Sequence, residues 1–412
     1  MYSEKNGYTY YEEISLESLN KLKACGTAQA ANNPISDNDI PAQTGFGIKT
    51  SLELIDARGK NYDDFDFDTL VSAMSKKEVG TILNLSGYTT GESQAIAKPA
   101  PSDLDGPMGL NLMATHEPFS IAYPAEVTIA ATWNKELSAK HGEAISQDGL
   151  RDNVLASGWY GPGANIHRTP FSGRNFEYYS EDSFMSGVMA KEAIVAAAKN
   201  GMYSFIKHFA LNDQEDHRDQ NGICSWANEQ TIREIYLKPF QMVFEGPTVE
   251  TKYYENGELK IANTPCALAV MTSFNRIGYT WAGGDYRLLT EVLRKEWNFN
   301  GLILTDYSAG ATSYMHTEQM LRAGGDAQLS QYGNPFDNFT NANIFYAKEA
   351  MKHVCYTVAN SNAMNGFTHG ARLGYKGLPV YYFIIIAIYL ASASCIGVGT
   401  IKTIKIIKNK EE

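Results

Sequence analysis

From Asn61 onward, short apolar runs rich in β-branched residues alternate with longer amphipathic runs, and few folds satisfy such an alternation. The apparent strands are VTIAAT (127–132), YSFIKHF (203–209), CALAVMTSF (266–274) and GLILTDY (301–307), with weaker ones near 82–86 and 154–160. Between them, 134–152, 183–201, 228–244, 286–297 and 345–364 carry apolar residues at three- and four-residue spacing, which predicts helices. Strand then helix, repeated, builds a parallel sheet buried on both faces, either doubly wound or closed into a barrel. Polar residues follow directly on the apolar runs: Lys207 and His208 after YSFI, Ser273 and Asn275 after CALAVM, Asp306 after GLILT. In a barrel those strand ends meet at one mouth, so the expected fold is α/β, a (β/α)8 TIM-like barrel.

Composition narrows the function. With 44% hydrophobic and 20% charged residues among 412, the chain is neither disordered, collagen-like nor a bare coiled coil. Its net charge is −11, and four lysines lie in the tail after Ile401, so the rest is more acidic still and repels nucleic acid. The five cysteines, Cys25, Cys224, Cys266, Cys355 and Cys395, show no CxxC and no close histidine, so neither a zinc site nor a disulfide scaffold is expected. The cluster DQEDHRD (213–219) reads as a solvated loop rather than a metal site.

The uncharged run GLPVYYFIIIAIYLASASCIGVGTI lies between Lys376 and Lys402. As a helix, 380–401 reaches about 33 Å, enough for a hydrocarbon layer of about 30 Å, and Tyr381 and Tyr382 suit an interfacial belt. A buried core helix is the alternative, but the run is apolar on every face and is followed by Lys402, Lys405, Lys408 and Lys410. The expected organisation is a junction or linker at 1–59, a barrel at 60–370, a transmembrane helix at 380–401 and a basic cytoplasmic tail at 402–412. A positive tail stays cytoplasmic, which puts the barrel on the extracytoplasmic side of a membrane anchor. The acidic amino-terminal stretch MYSEKNGYTYYEE does not read as an export signal, which conflicts with that topology unless the tail inserts late or the chain is part of something longer.

GLILTDY ends an apolar strand on a single carboxylate, Asp306, a position suited to a nucleophile and equally to capping the next helix. KHF brings Lys207 and His208 to a neighbouring strand end, suited to gripping hydroxyls or lowering a carboxylate pKa, or else a charged surface loop. DGPMGLN (105–111) is a tight turn presenting Asp105, and GRNFEYYSED (173–182) presents Arg174 beside aromatics.

Together with GPGANIHRTPFSGRNFEYYSEDSF (161–184), IKHFALNDQEDHR (206–218), VMTSFNRIGYTWA (270–282) and LLTEVLRKEWNFNGLILTDY (288–307), these stretches resemble glycoside hydrolase family three, the β-glucosidase and β-xylosidase branch, in register from about residue 60 to about residue 330. The resemblance implies that Asp306 attacks the anomeric carbon, that Asp105, Arg174, Lys207 and His208 bind sugar hydroxyls, and that Arg218 supports the pocket. It also implies Met271 and Tyr307 as flanking substrate contacts. Asn111, Phe274 and Tyr307 stand where the family usually has Arg, Tyr and Trp, from which altered or reduced activity is expected.

By that resemblance the chain is a retaining β-glycosidase acting on terminal β-linked glucose or xylose of oligosaccharides or β-glycosides, through a covalent glycosyl-aspartate and without a cofactor or metal. The family usually takes its acid from a second, smaller α/β domain, so the acid is unassigned and a separate acid/base domain is a possible partner. The junction at 1–59 looks like a member with inverted domain order and that domain missing. Glu177 and Glu215 lie in the motifs, but they read better as partners of Arg174 and Arg218. The alternative function is an impaired sugar-binding barrel.

Overall fold

Six short strands lie side by side, all parallel: β1 (Asp103–Asp105), β2 (Gly158–Tyr160), β3 (Tyr203–Phe209), β4 (Ala269–Thr272), β5 (Leu302–Tyr307) and β6 (Ala327–Leu329), in that spatial order. The computed structural model describes residues 2–5, 8–11, 15–25, 30, 32–112, 117–151, 154–218, 223–255, 257–308, 314–373 and 380–411. They form two compact units, Met1–Ala371 and Arg372–Glu412.

The ring closes through Ser86–Tyr88, a segment too short and polar to read as a strand. Ser86 N–H donates to Gln328 C=O (3.0 Å), Gly87 N–H to Ser330 C=O (2.9 Å), and Asp103 N–H to Tyr88 C=O (2.9 Å), so the segment bridges β6 to β1. A TIM-like barrel results. The eightfold count needs correction among the described residues. The main sheet has eight strands, but two of them, Asn111–Leu112 and Glu117–Pro118, run antiparallel as an extension of β1, and the ring itself is six strands plus the closing segment. Gly87 makes the closure possible, because a Cβ there would stand 2.8 Å from the Ser330 carbonyl and 2.6 Å from Gln331 Cγ. Gly87→Ala is therefore expected to destabilise the barrel by about 1–3 kcal/mol through overpacking, read as a lower denaturant midpoint at unchanged m-value.

The strands are almost wholly buried because both faces are covered. Phe205, Ala269, Met271, Leu302 and Leu304 join one core cluster, while Ile206, Val270 and Ile303, their alternate neighbours, join another. Connections follow the strand-helix rhythm: α1 (Lys76–Asn84) precedes the closing segment, α2 (Lys135–Gly149) lies between β1 and β2, α3 (Ser183–Ala198) between β2 and β3, α4 (Lys238–Phe244) between β3 and β4, α5 (Arg287–Glu296) between β4 and β5, and α6 (Thr317–Ala323) between β5 and β6. Helix α7 (Asn341–Ala359) follows β6 and contributes Ala347, Met351 and Val354 to the first cluster.

Two strand expectations fail for an identifiable reason. VTIAAT falls on a short helix, Glu126–Ala130, whose buried residues Glu126, Ile129 and Ala130 recur at helical spacing. The run near 82–86 ends α1, which Ser75 and Glu78 start with a reciprocal capping box and whose Val79, Ile82 and Leu83 are buried. Of 154–160, only Gly158–Tyr160 is strand. A long hairpin, Thr248–Glu255 with Glu258–Pro265, had no expected counterpart.

Before Asn61, Ile40, Leu54, Ile55 and Ala57 pack into the first core cluster, and Leu16–Ala24 is helical. In the second unit, α8 (Val380–Glu411) is continuous through the expected tail. Its span Tyr381–Ile407, 27 residues of mean hydropathy 2.1, is long and apolar enough to cross a membrane by length and composition alone. Residues 377–379 of the uncharged run lie outside the described residues.

Candidate active site

Asp306 is the fifth residue of β5 and caps no helix among the described residues. Its Oδ1 accepts the Tyr307 N–H at 2.7 Å. Its Oδ2 accepts no hydrogen bond among the described residues, although His208 Nε2 stands 3.4 Å away and Arg218 Nη1 3.7 Å away. One oxygen anchors the carboxylate and the other keeps its lone pairs.

His208, on β3, is oriented from behind. Asn212 Nδ2–H donates to the Tyr178 hydroxyl oxygen (3.0 Å), and that hydroxyl lies 2.9 Å from His208 Nδ1. Donation from Tyr178 to Nδ1 is one of the two tautomers this contact allows, and it is the one that puts the ring proton on Nε2, facing Asp306. Burial, reinforced by the charges of Arg174, Lys207 and Arg218, holds the imidazole pKa well below its ordinary value, so the ring is neutral.

Lys207 precedes His208 on the same strand. Its Nζ donates to Asp105 Oδ1 at 2.9 Å and stands 3.9 Å from Glu177 Oε1. Burial works to raise the Asp105 carboxyl, but Lys207, the Gly106 N–H and Arg174 together hold it below the usual carboxylate range. Arg174 grips Glu177 with two hydrogen bonds, Nε to Oε2 (2.9 Å) and Nη2 to Oε1 (2.5 Å), and its Nη1 lies 3.7 Å from Glu215 Oε2. Arg218 completes the chain: Nη2 lies 2.9 Å from Glu215 Oε2, and the guanidinium sits 4.3 Å from the centre of the Phe274 ring. Burial raises the Glu215 carboxyl against the pull of both arginines.

Asp105, Lys207, Glu177, Arg174, Glu215, Arg218, Asp306 and His208 thus form one continuous polar network, drawn from stretches up to about two hundred residues apart. Tyr307 adjoins it on β5, half-buried. Met271 packs instead in the apolar core with Tyr160, Phe205 and Leu304. Glu177 and Glu215 are both arginine-bound. Asp219 of the DQEDHRD stretch lies outside the described residues.

Sequence reasoning missed three contributors. Tyr178 and Asn212 sit inside quoted motifs, but nothing in their spacing signals a relay to His208. Tyr88, on the closing segment, has a hydroxyl pushed up to about 12 by burial and by the charges of Asp105, Tyr307 and Asp306, which puts it within electrostatic reach of the same carboxylates.

Glu126 is a fourth, of different character. It is fully buried, neither carboxyl oxygen has a hydrogen-bond partner of ordinary geometry among the described residues, and burial, then Glu177, raises its pKa well above the usual carboxylate value against the pull of nearby backbone N–H groups and Lys207. The folded chain holds its proton where the unfolded chain has released it. That contribution to stability is full below the free pKa and is lost as pH rises towards the folded value. Glu126→Gln is expected to leave stability unchanged below pH ~4 and to raise it above, by up to about 1.4 kcal/mol per pH unit over that window. Denaturant unfolding at pH 4 and pH 8 checks it, and equal effects at both would refute it.

The chain matches the family model described as "Glycosyl hydrolase family 3 N terminal domain" over residues 71–250 and 260–338, a break that falls in the 248–265 hairpin. It is 34% identical over 283 residues to a β-glucosidase of Ruminococcus albus, covering 66% of this chain and 27% of that one. It is 29% identical over 271 residues to β-glucosidase A of Butyrivibrio fibrisolvens, covering 64% and 29%. The chain therefore spans under a third of the length of either relative. In structure it resembles β-glucosidase 3B of Thermotoga neapolitana (TM-score 0.58, 24% identity, 72% of this chain and 43% of that one). It also resembles a β-glucosidase of Paenibacillus barengoltzii (TM-score 0.62, 23% identity, 91% and 40%). At these identities the two likenesses speak for the barrel fold.

Proposed function

The chain belongs to glycosyl hydrolase family 3, and from that membership we propose that its barrel binds a terminal β-linked glucose or xylose and forms a glycosyl ester on Asp306. The observation that carries this is Asp306 Oδ2, a buried carboxylate oxygen with no hydrogen bond among the described residues, flanked by His208 and Arg218. Oδ2 attacks the anomeric carbon while Tyr307 N–H holds Oδ1, and the neutral His208 offers its Nε2–H to the carboxylate or to a sugar hydroxyl. Asp105, fixed by Lys207, and Arg174, fixed by Glu177, take the distal hydroxyls. Arg218 supports Asp306, and Tyr307 flanks the substrate.

Retaining hydrolysis needs a second carboxyl about 5 Å from the nucleophile to protonate the leaving oxygen and later activate water. Glu177 and Glu215 are both bound by arginines, which favours an acid delivered by a separate domain. The same observation supports a second reading, a barrel that binds sugar and turns over poorly without that domain. Incubation with a 2-fluoro glycoside carrying an activated phenolic leaving group separates them, since such a leaving group needs little acid help. Labelling of Asp306 with turnover of ordinary glycosides supports the first reading, labelling without turnover supports the second, and an unlabelled chain overturns both.

The apolar helix α8 supports a membrane anchor with the barrel on the extracytoplasmic side. Protection of the barrel from added protease in sealed cytoplasm-out vesicles is the expected result, and rapid cleavage overturns this topology.

A further inference from the structure

Cys25 and Cys224, 199 residues apart in sequence, place their sulfurs 3.7 Å from each other. Each is held by backbone. Cys25 Sγ lies 3.2 Å from the Lys21 carbonyl oxygen and 3.4 Å from that of Tyr279, either of which can accept its one S–H. Cys224 and Ser225 pair in parallel with Arg276 and Ile277. Arg276 then joins the two sides, giving Nη2 to the Cys25 carbonyl at 2.5 Å and Nη1 to the Arg218 carbonyl at 3.0 Å. The sulfurs therefore lie beside the segment that carries Arg218, the guanidinium 3.7 Å from Asp306.

We propose that Cys25 and Cys224 form a reversible disulfide that staples the amino-terminal segment to the Arg218 segment. Bringing the sulfurs from 3.7 Å to a bonding distance of about 2.05 Å is a shift that side-chain rotation supplies. The oxidant is a low-molecular-weight disulfide. Cys224 is the point of entry, being partly exposed while Cys25 is buried. The Cys224 thiolate attacks one reagent sulfur and expels one reagent thiolate. Cys25, losing its proton, attacks Cys224 Sγ in the mixed disulfide and expels the second. The two protein thiols give up two electrons and two protons, and the reagent becomes two thiols. Burial and the neighbouring Cys25 push the Cys224 thiol up to about 12, so the reaction is slow at neutral pH and accelerates as pH rises. On the extracytoplasmic side proposed above, the bond persists once made.

The test uses the full chain in detergent, carrying Cys395→Ser to remove the exposed thiol of α8. The protein is incubated with oxidised glutathione at pH 8, alkylated, digested without reduction and mapped by mass spectrometry. The expected product is a Cys25–Cys224 cross-link that dithiothreitol removes. Cys25→Ser should instead trap glutathione on Cys224, and Cys224→Ser should leave Cys25 unmodified. Glutathione retained on Cys224 of the otherwise native chain, or both thiols recovered alkylated, overturns the proposal. The cross-linked chain should also melt about 5 °C higher than the reduced one, since the bond closes a long loop. A cross-linked chain with an unchanged melting point overturns the staple. None of these readouts uses a sugar, so they stand apart from the fate of Asp306 as nucleophile.

Discussion

Asp306→Asn should abolish labelling by the activated 2-fluoro glycoside, lowering adduct formation by at least about 10⁴-fold, the scale on which loss of a covalent nucleophile is felt. The amide matches the carboxylate in volume, and its oxygen can still accept the Tyr307 N–H that now binds Oδ1. What disappears is the second oxygen, whose lone pairs meet no hydrogen bond among the described residues. Intact mass after incubation reads the adduct, and the unfolding midpoint of the same preparation reads the fold. Normal labelling of a folded Asn variant would remove Asp306 from the chemistry.

The second large effect is on stability. Lys207 and Asp105 form a pair whose side chains are 4% and 17% exposed. Lys207→Met leaves the carboxylate without its main compensating charge, and breaking a buried pair from one side costs about 3–5 kcal/mol. The pH dependence should change sign. In the native chain the Asp105 pKa is depressed, so its contribution is present above the free carboxylate pKa and is lost as pH falls through the lower folded value. Without Lys207, burial dominates and raises that pKa, so the penalty grows as pH rises through the carboxylate range. The loss should thus be smaller at pH 4 than at pH 7. Asp105→Asn in the same background should restore most of the stability, a coupling that only a charge-specific effect produces. Sugar affinity should stay about 10- to 100-fold weaker in both, because a charge-assisted anchor is gone. A single variant as stable as the native chain at pH 7 would show that the pair carries no such energy.

The nucleophile candidate was legible because an apolar strand that ends on one carboxylate has few structural reasons to do so, and Lys207 and His208 followed the same logic on β3. The long helix α8 was legible because an uncharged run needs no partner to declare itself. The closing segment Ser86–Tyr88 and β1 were not. The first is three residues bridging two strands, and the second, DLD, owes its burial to partners such as the Tyr203 hydroxyl, 2.5 Å from Asp103. VTIAAT misled because a six-residue run with four apolar residues fits a strand period and a helical turn equally well, and only the neighbours in space choose.

The amino-acid order by itself determined the alternation of strand and helix, the apolar span at the carboxyl end and which residue types stand at the strand ends, all of which depend on patterns within about twenty residues. The tertiary structure alone decided which charges became partners: Glu177 and Glu215 bound to arginines, Tyr178 behind His208, Glu126 fully buried, and two distant thiols 3.7 Å apart. Those relations depend on distances that closing a barrel creates, and a linear order of residues does not carry them.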